Sequence, residues 1–206
     1  MTTDPVAVRI SAEEVTIRRG DERIVDRLTW SHEPGSIAWL SGPNGAGKSS
    51  LMRVLAKIDE PFDGLVRHEG GGTNRASREL IASYTPAMSL PPEPRAAWFT
   101  RLTSRWIGGP IPLEPDRALR AKPCRALSTG EEKRLLLGPI LARARPFVFL
   151  DEPYEHLSRE ARDALTAALV QLAQTSIVVV ATNQPIPPEA AGPTIMLSML
   201  EAPHVA

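Results

Sequence analysis

Residues 42–50 constrain this chain more than any other stretch of its sequence. They read Gly-Pro-Asn-Gly-Ala-Gly-Lys-Ser-Ser, which is a glycine, four residues, and then Gly-Lys-Ser. An apolar run at 37–40 precedes them and indicates a buried strand, and apolar spacing over 50–56 indicates a helix. Glycines at such a turn let backbone N–H groups approach phosphate oxygens, and the helix N-terminus favours an anion. The stretch therefore predicts a phosphate-binding loop.

Two side chains of this loop have distinct predicted roles. Lys48 supplies a mobile positive charge for the β- and γ-phosphates of a nucleotide, and the Ser49 hydroxyl can bind Mg²⁺. A glycine-rich turn without a ligand is the competing interpretation, and the complete pattern in the right context disfavours it. The predicted nucleotide contacts of the loop are Gly42, Pro43, Asn44, Gly45, Ala46, Gly47, Lys48, Ser49 and Ser50.

A second apolar run, at 147–150, ends in two acids, Asp151 and Glu152. Ligands of open α/β sheets bind at the C-terminal ends of the strands. We predict that Asp151 holds Mg²⁺, directly or through water, and that Glu152 polarises the attacking water as a general base. A solvated acidic pair before a turn proline is the competing interpretation, and the complete loop upstream disfavours it.

Composition excludes several functional classes. The 206 residues include 24 basic and 24 acidic side chains, a balance that argues against nucleic acid as a partner. With one cysteine, Cys124, no internal disulfide can form, which fits a reducing cytosol. The N-terminus lacks the features of a signal peptide, and the aliphatic runs are too short to cross a bilayer. Any membrane role must therefore come through a partner.

A third site lies one helix before the acidic strand. Ser128 followed three residues later by Glu131 predicts a capping box, and a capped helix N-terminus can also hold an anion. The segment 127–131, Leu-Ser-Thr-Gly-Glu, resembles the signature Leu-Ser-Gly-Gly-Gln of ATP-binding cassette (ABC) ATPases. Residues 42–50 resemble the Walker A motif of that family, and residues 150–153 resemble its Walker B motif with the catalytic glutamate. The resemblance extends over essentially the whole chain.

This resemblance implies an α/β fold of the P-loop NTPase (ABC ATPase) type, with a mostly parallel sheet, an N-terminal antiparallel β-subdomain and a short helical subdomain. Strands that alternate with helices after residue 36, and helical spacing over 95–107, agree with that fold. We expect one ABC ATPase domain over 1–206, with an antiparallel part at 1–36, a RecA-like core at 37–86 and 128–206, and a helical subdomain at 87–127.

The resemblance also implies how ATP is shared. In this family two cassettes meet head to tail, and each ATP lies between the Walker A loop of one and the signature helix of the other. Ser128 and Gly130 are then expected to contact the γ-phosphate of ATP held by a second copy or a paralogue, with Mg²⁺ as the second cofactor. Because hydrolysis usually drives a transporter, we expect integral membrane subunits as partners and a cytoplasmic, peripheral position on the inner face of the membrane. Arg19 and the segment 181–185 are similar to the haem-exporter ATP-binding subunits of bacterial cytochrome c maturation.

Three positions, Ala87, Asn183 and Ser158, depart from the family pattern, and Arg19 is a further unusual position. The switch-region glutamine falls on Ala87, which has no polar group for Mg²⁺ or water, and the switch histidine falls on Asn183. Asn183 can still donate a hydrogen bond to the γ-phosphate but cannot carry a positive charge. Ser158 replaces an aspartate that makes an ionic contact across the dimer, although serine caps a helix equally well. Arg19 stands where an aromatic residue often stacks on adenine, and it either stacks there or is simply exposed.

The predicted catalytic residues are thus Lys48, Glu152 and Asn183, in the ATP-hydrolysing subunit of a transporter with slowed hydrolysis. A regulatory module that uses ATP only to dimerise, and a non-transport ABC ATPase of translation or DNA repair, are the alternatives. The signature motif argues against a small P-loop kinase. In the helical subdomain, Trp98, Phe99 and Trp106 are candidate contacts to the membrane subunits, but we expect at least two of them to pack its core.

Overall fold

The computed structural model describes residues 8–70, 77–93, 95–107, 111–143 and 145–198. The strands are β1 (Arg9–Arg19), β2 (Glu22–His32), β3 (Ile37–Ser41), β4 (Asp63–Glu69), β5 (Ile81–Tyr84), β6 (Phe147–Asp151), β7 (Ile177–Thr182) and β8 (Thr194–Met196). The α-helices are α1 (Lys48–Leu55), α2 (Ala96–Ile107), α3 (Arg117–Ala121), α4 (Thr129–Ala142) and α5 (Arg159–Ala173). Short 3₁₀ helices lie at Ser77–Leu80, Cys124–Ala126 and Pro188–Ala190.

The larger sheet has the strand order β5-β6-β7-β3-β8, and its strand pairs are parallel. Its central strands are buried on both faces, which is why they read as continuous apolar runs in the sequence. In β3, Ile37 and Trp39 pack towards one core cluster, and Ala38 and Leu40 pack towards the other. The predicted α/β fold with a mostly parallel sheet is therefore confirmed.

The smaller sheet is antiparallel, with the order β2-β1-β4. Strand β4 belongs to it although it lies within the stretch 37–86 that the sequence assigns to the core. The reason is visible in its burial, because Val66 is its one buried residue and a central strand of the parallel sheet would be buried throughout. An antiparallel sheet tolerates one solvated face. The division of the chain into three parts otherwise stays a prediction.

His68 of β4 joins the two sheets. Its ring stacks on Phe147 at a centroid distance of 4.3 Å and lies 6.0 Å from Phe149. Its Nε2 donates a hydrogen bond to the Leu55 carbonyl, 2.7 Å away. Burial lowers the pKa of His68 to about 4, so the ring stays neutral near pH 7 and packs as an aromatic side chain.

The exposure of the aromatic side chains of helix α2 contradicts one expectation from the sequence. Trp98 and Trp106 are 49% and 76% exposed, whereas Phe99 is partly buried against the core. The expectation that at least two of these three rings pack the helical core is therefore wrong. Spacing alone identified an apolar helix but could not show that one side of it lacks a covering element.

None of the helices in the described ranges is long and apolar enough to cross a membrane.

Loss of the predicted cap on α5 should destabilise the protein. Ser158 has extended backbone, and its Oγ accepts a hydrogen bond from the Ala161 N–H at 3.3 Å. Ser158→Ala removes this acceptor, and loss of an N-cap typically costs about 1 kcal/mol, or roughly 3 °C in Tm for a chain of this size. Ser158→Asp is the control, because aspartate caps equally well. Equal Tm values for the alanine and aspartate variants in thermal unfolding would contradict the assignment.

Candidate functional site

The phosphate loop connects β3 to α1 in the predicted way. Gly47 is the N-cap of α1 with φ 91°, a left-handed conformation that suits glycine. A Cβ on Gly47 would lie 2.1 Å from Cγ2 of Ile24 in β2, so the antiparallel sheet also requires glycine here. Residues 43–45 are exposed, whereas Ala46, Gly47 and Lys48 are buried.

Lys48 is almost completely buried, with 6% of its side chain exposed. Its Nζ donates hydrogen bonds to the carbonyls of Gly42, at 2.8 Å, and Pro43, at 3.2 Å. The same Nζ lies 3.5 Å from Oε1 of Glu152. A buried ammonium requires such partners, because an unpaired charge in the interior is strongly destabilising. The loop therefore presents a compensated cation at the position predicted to bind phosphate.

Asp151 ends β6 and is 4% exposed. Burial raises the pKa of Asp151, whereas the neighbouring Ser49 side chain and Lys48 oppose the shift. Among the described residues, no group hydrogen-bonds its Oδ1. Buried polar atoms are rarely left unpaired, and a carboxylate oxygen beside a hydroxyl suits Mg²⁺, which prefers oxygen ligands.

The metal would depend on the nucleotide for most of its ligands. Within the described part of the chain, no group of three or more His, Cys, Asp and Glu side chains could hold a metal ion. Ser49 and Asp151 together would supply two oxygens, and a magnesium ion that binds with a nucleotide would take its other ligands from phosphates and water. The residues present therefore fit Mg²⁺ that arrives with its nucleotide.

Glu152 is held at the mouth of the loop by backbone groups from the C-terminal end of β7. Its N–H donates to the Ala181 carbonyl at 2.9 Å, and its Oε2 accepts a hydrogen bond from the Asn183 N–H at 3.1 Å. Burial raises the pKa of Glu152, Glu155 adds to the shift, and the Asn183 N–H and Lys48 oppose it. A carboxylate with a raised pKa is a better proton acceptor near neutral pH.

Asn183 reaches the loop from the end of β7. Strands β7 and β3 are neighbours in register, with Thr182 opposite Ser41. The Asn183 side chain donates from Nδ2 to Oδ1 of Asn44 at 3.0 Å. The structure thus brings Lys48, Glu152 and Asn183 together at one edge of the sheet.

Two cavities flank the loop. The first, of about 190 Å³, is lined by loop residues together with Arg19, Glu152 and Glu155. Arg19 therefore reaches the candidate nucleotide site from the end of β1. The second cavity, of about 330 Å³, is lined by Ser49, Asp151 and Ala87 among others. Ala87 thus lines the same cavity as the two residues of the candidate metal site.

The capping box at the start of α4 is present as predicted. The Ser128 Oγ accepts from the Glu131 N–H at 3.3 Å, and the Glu131 Oε2 accepts from the Ser128 N–H at 2.9 Å. Lys122 pairs with the other Glu131 oxygen at 2.6 Å, and it is the main cause of the lowered pKa of Glu131. A Cβ on Gly130 would lie 2.2 Å from the His156 carbonyl oxygen, so close packing also favours glycine there.

Ser128 and Gly130 are not brought to the loop of their own chain. The described residues that line the cavity beside the loop come from elsewhere in the structure. Ser128 is exposed at the surface. This separation agrees with the expectation that these two residues contact a nucleotide held by another chain.

Sequence reasoning missed three residues at the site. Glu155 lines the cavity beside the loop. Glu132 accepts a hydrogen bond from the Leu90 N–H at 2.6 Å, and Lys133 donates to the Glu152 carbonyl at 2.9 Å. Charged residues at the start of a helix are usually solvated, so nothing in the sequence distinguished Glu132 or Lys133 from ordinary surface residues.

Comparison with known proteins places the chain in a family. Residues 25–155 match the family model described as ABC transporter. The cytochrome c biogenesis ATP-binding export protein CcmA of Rhizobium meliloti is 35% identical over 193 residues, which cover 87% of this chain and 93% of the relative. The protein of the same name from Novosphingobium aromaticivorans is 33% identical over 179 residues, covering 85% and 88% of the two chains.

Solved structures share the fold. An ATP-binding cassette in a dimeric post-hydrolysis state with ADP and Pi superposes with a TM-score of 0.72 at 18% identity, covering 92% of this chain and 96% of that one. An ATP-binding subunit of an ABC transporter gives 0.74 at 15% identity, covering 92% and 87%. The family match and the extensive identity with full-length relatives show that this chain belongs to the ABC transporter family, as an ATP-binding subunit with ATPase activity.

Proposed function

We propose that this chain powers an exporter of cytochrome c biogenesis, working as a dimer around ATP beneath separate membrane subunits. The substrate process is inferred from the names of the relatives, which cover most of the chain at 35% and 33% identity. The observation that carries the transport role is an apolar groove that lies apart from the phosphate loop. The position of the protein would be peripheral, on the inner face of the membrane.

The roles of the site residues follow from their geometry. Residues 42–50 hold the phosphates of ATP, with Lys48 directed at the γ-phosphate. Ser49 and Asp151 would hold Mg²⁺, which supplies charge neutralisation at the phosphate oxygens when bound. Glu152 accepts a proton from the attacking water, since its carboxylate lies 3.5 Å from the Lys48 ammonium that marks the phosphate position. Arg19 lines the same cavity and provides a flat guanidinium for the adenine.

The second half of the site comes from another cassette, a second copy or a paralogue. The Ser128 Oγ accepts a hydrogen bond from the Glu131 N–H, and Ser128 is exposed, so its hydroxyl can donate to the γ-phosphate of a nucleotide held by another chain. Gly130 lies in the first turn of α4, where N–H groups lack partners within the helix. These features support a shared ATP site, in which Ser128 and Gly130 face the ATP of the partner.

Hydrolysis in this cassette is proposed to be slow. Ala87 offers no polar group to the cavity that contains Ser49 and Asp151. The amide of Asn183 is engaged by Asn44 rather than free to bind phosphate, and it carries no charge. An engaged donor must break its bond before it can stabilise charge on the γ-phosphate, so less stabilisation reaches the transition state.

The groove that supports a membrane partner lies between β5, α2 and α4. It has a volume of about 440 Å³, and apolar side chains form most of its lining. Met88, Leu102 and Trp106 are 42%, 41% and 76% exposed there. Exposed apolar patches of this kind mark interaction sites. Because family members act with membrane subunits, we assign the groove to a cytoplasmic segment of such a subunit.

Disruption of the groove should uncouple the cassette from its membrane partner. Trp106→Glu places a charge in the apolar contact, so co-purification with the co-expressed membrane subunits of the proposed exporter should fall at least tenfold. Phe62→Glu is the matched control, because Phe62 is 62% exposed and lies outside the groove. Undiminished co-purification of the Trp106→Glu variant would contradict the docking assignment.

Removal of the general base should trap the dimer. Glu152→Gln retains the shape of the side chain but cannot accept the proton, so ATP stays bound between two cassettes. With ATP and Mg²⁺ the variant should elute from a sizing column as a dimer, and with ADP as a monomer. A monomer peak with ATP would refute the shared site.

Restoration of the switch histidine should accelerate hydrolysis. Asn183→His provides a donor that can carry a positive charge at the γ-phosphate. Loss of one such donor in an active site typically costs about 10²–10³ in rate, so restoring part of it should raise kcat about tenfold. Asn183→Ala serves as the control and should not exceed the parent. A kcat of Asn183→His no higher than that of the parent would remove the explanation for slow hydrolysis.

A further inference from the structure

We propose that Lys133 is a positioning residue that holds the main chain of Glu152 in the conformation needed for hydrolysis. This inference rests on the proposed role of Glu152 as the general base. Lys133 lies in the second turn of α4, far from the phosphate loop in sequence.

The contact itself is direct and buried. Lys133 is 4% exposed, and its Nζ donates a hydrogen bond to the Glu152 carbonyl oxygen at 2.9 Å. The same ammonium lies 5.6 Å from the centre of the Tyr84 ring, close enough for a cation–π interaction. A lysine that only filled space would extend its ammonium to solvent, as this side chain usually does. Here the charged end, rather than the stem alone, is enclosed.

Glu152 has a backbone that needs such support. Its φ is 47°, in the left-handed region that non-glycine residues seldom occupy. Conformations of this kind persist where the surroundings fix them. Two bonds do so here: the Glu152 N–H donates to the Ala181 carbonyl, and the Glu152 carbonyl accepts from Lys133. The peptide group after Glu152 is thus held from the α4 side, and the group before it from the β7 side.

The orientation of this backbone decides where the carboxylate points. With the main chain held, Oε1 lies 3.5 Å from the Lys48 ammonium and Oε2 accepts from the Asn183 N–H at 3.1 Å. If the carbonyl lost its partner, the peptide could rotate out of the left-handed region and carry the carboxylate with it. A displacement of about 1 Å at a reacting group is enough to lower a rate about 100-fold.

The charges around Lys133 explain why a cation is tolerated at this buried position. Burial lowers the pKa of Lys133 and Arg162 adds to this shift, whereas Glu155, Glu152 and Asp151 oppose it and so favour the protonated form. The ammonium therefore also offsets repulsion among these three acids. A neutral donor would satisfy the carbonyl but would not offset this repulsion.

The contact also connects the N-terminal part of α4 to the main chain of Glu152. Ser128 and Gly130 precede Lys133 on α4, and the neighbouring Glu132 holds the Leu90 N–H at 2.6 Å. A shift of α4 on contact with the ATP of a partner would therefore be transmitted to the Glu152 main chain through Lys133.

The test compares Lys133→Met and Lys133→Gln with Lys57→Met, an exposed lysine beyond the end of α1, in steady-state ATPase and ATP-binding assays on the full chain. Lys133→Met fills the space without a donor, so kcat should fall about 10- to 100-fold, the range for loss of a charge-assisted hydrogen bond, while the Kd for ATP changes less than twofold. Lys133→Gln retains an N–H donor and should keep a higher kcat than Lys133→Met. Lys57→Met should match the parent.

The remaining outcomes separate this inference from the assignment of Glu152. A Lys133→Met variant that binds ATP and turns over at the parental kcat would overturn the positioning role of Lys133. Equal, lowered kcat values for the methionine and glutamine variants would also overturn that role. In a Glu152→Gln background, adding Lys133→Met should lower the residual rate no further. Parental turnover by Glu152→Gln alone would instead show that Glu152 is not the base, whatever Lys133 does.

Discussion

The site depends on how the buried ammonium of Lys48 is compensated. The carbonyls of Gly42 and Pro43 and the carboxylate of Glu152 surround it, and two different constraints of the fold bring them there. The carbonyls are directed inward by a turn that left-handed glycines make possible. The carboxylate arrives because β6 and β3 both lie next to β7 in the sheet. Without these partners a cation at this depth would destabilise the protein.

The antiparallel sheet does more than cover the hydrophobic core. Ile24 packs so closely against Gly47 that no side chain fits there, and Arg19 extends the same sheet to the edge of the nucleotide cavity. His68 is neutral because burial lowers its pKa to about 4, and it stacks on Phe147 at the start of β6, the strand that ends at Asp151. The smaller sheet thus fixes both the phosphate loop and the strand that carries Asp151.

Helix α4 connects features that are far apart in the sequence. Its capped N-terminus is exposed, which suits contact with the ATP of a second cassette, while its next turn reaches Leu90 through Glu132 and Glu152 through Lys133. Glu132 and Lys133 therefore connect α4 to the segment at Leu90 and to Glu152, the candidate base. Rigid helices with such paired contacts can transmit small shifts, because packed interiors do not deform continuously.

The sequence by itself determined the phosphate loop, the acidic strand end, the capping box and the α/β class, because these depend on local spacing and residue type. It also identified Ala87 and Asn183 as departures, and the structure places both beside the site. Only the tertiary structure decided that β4 joins the antiparallel sheet, that Trp98 and Trp106 are exposed, and that Lys133 is buried on Glu152. These outcomes depend on which helices and strands pack against one another. The local sequence around a charged or aromatic residue is the same whether its side chain is covered by another element or exposed to solvent.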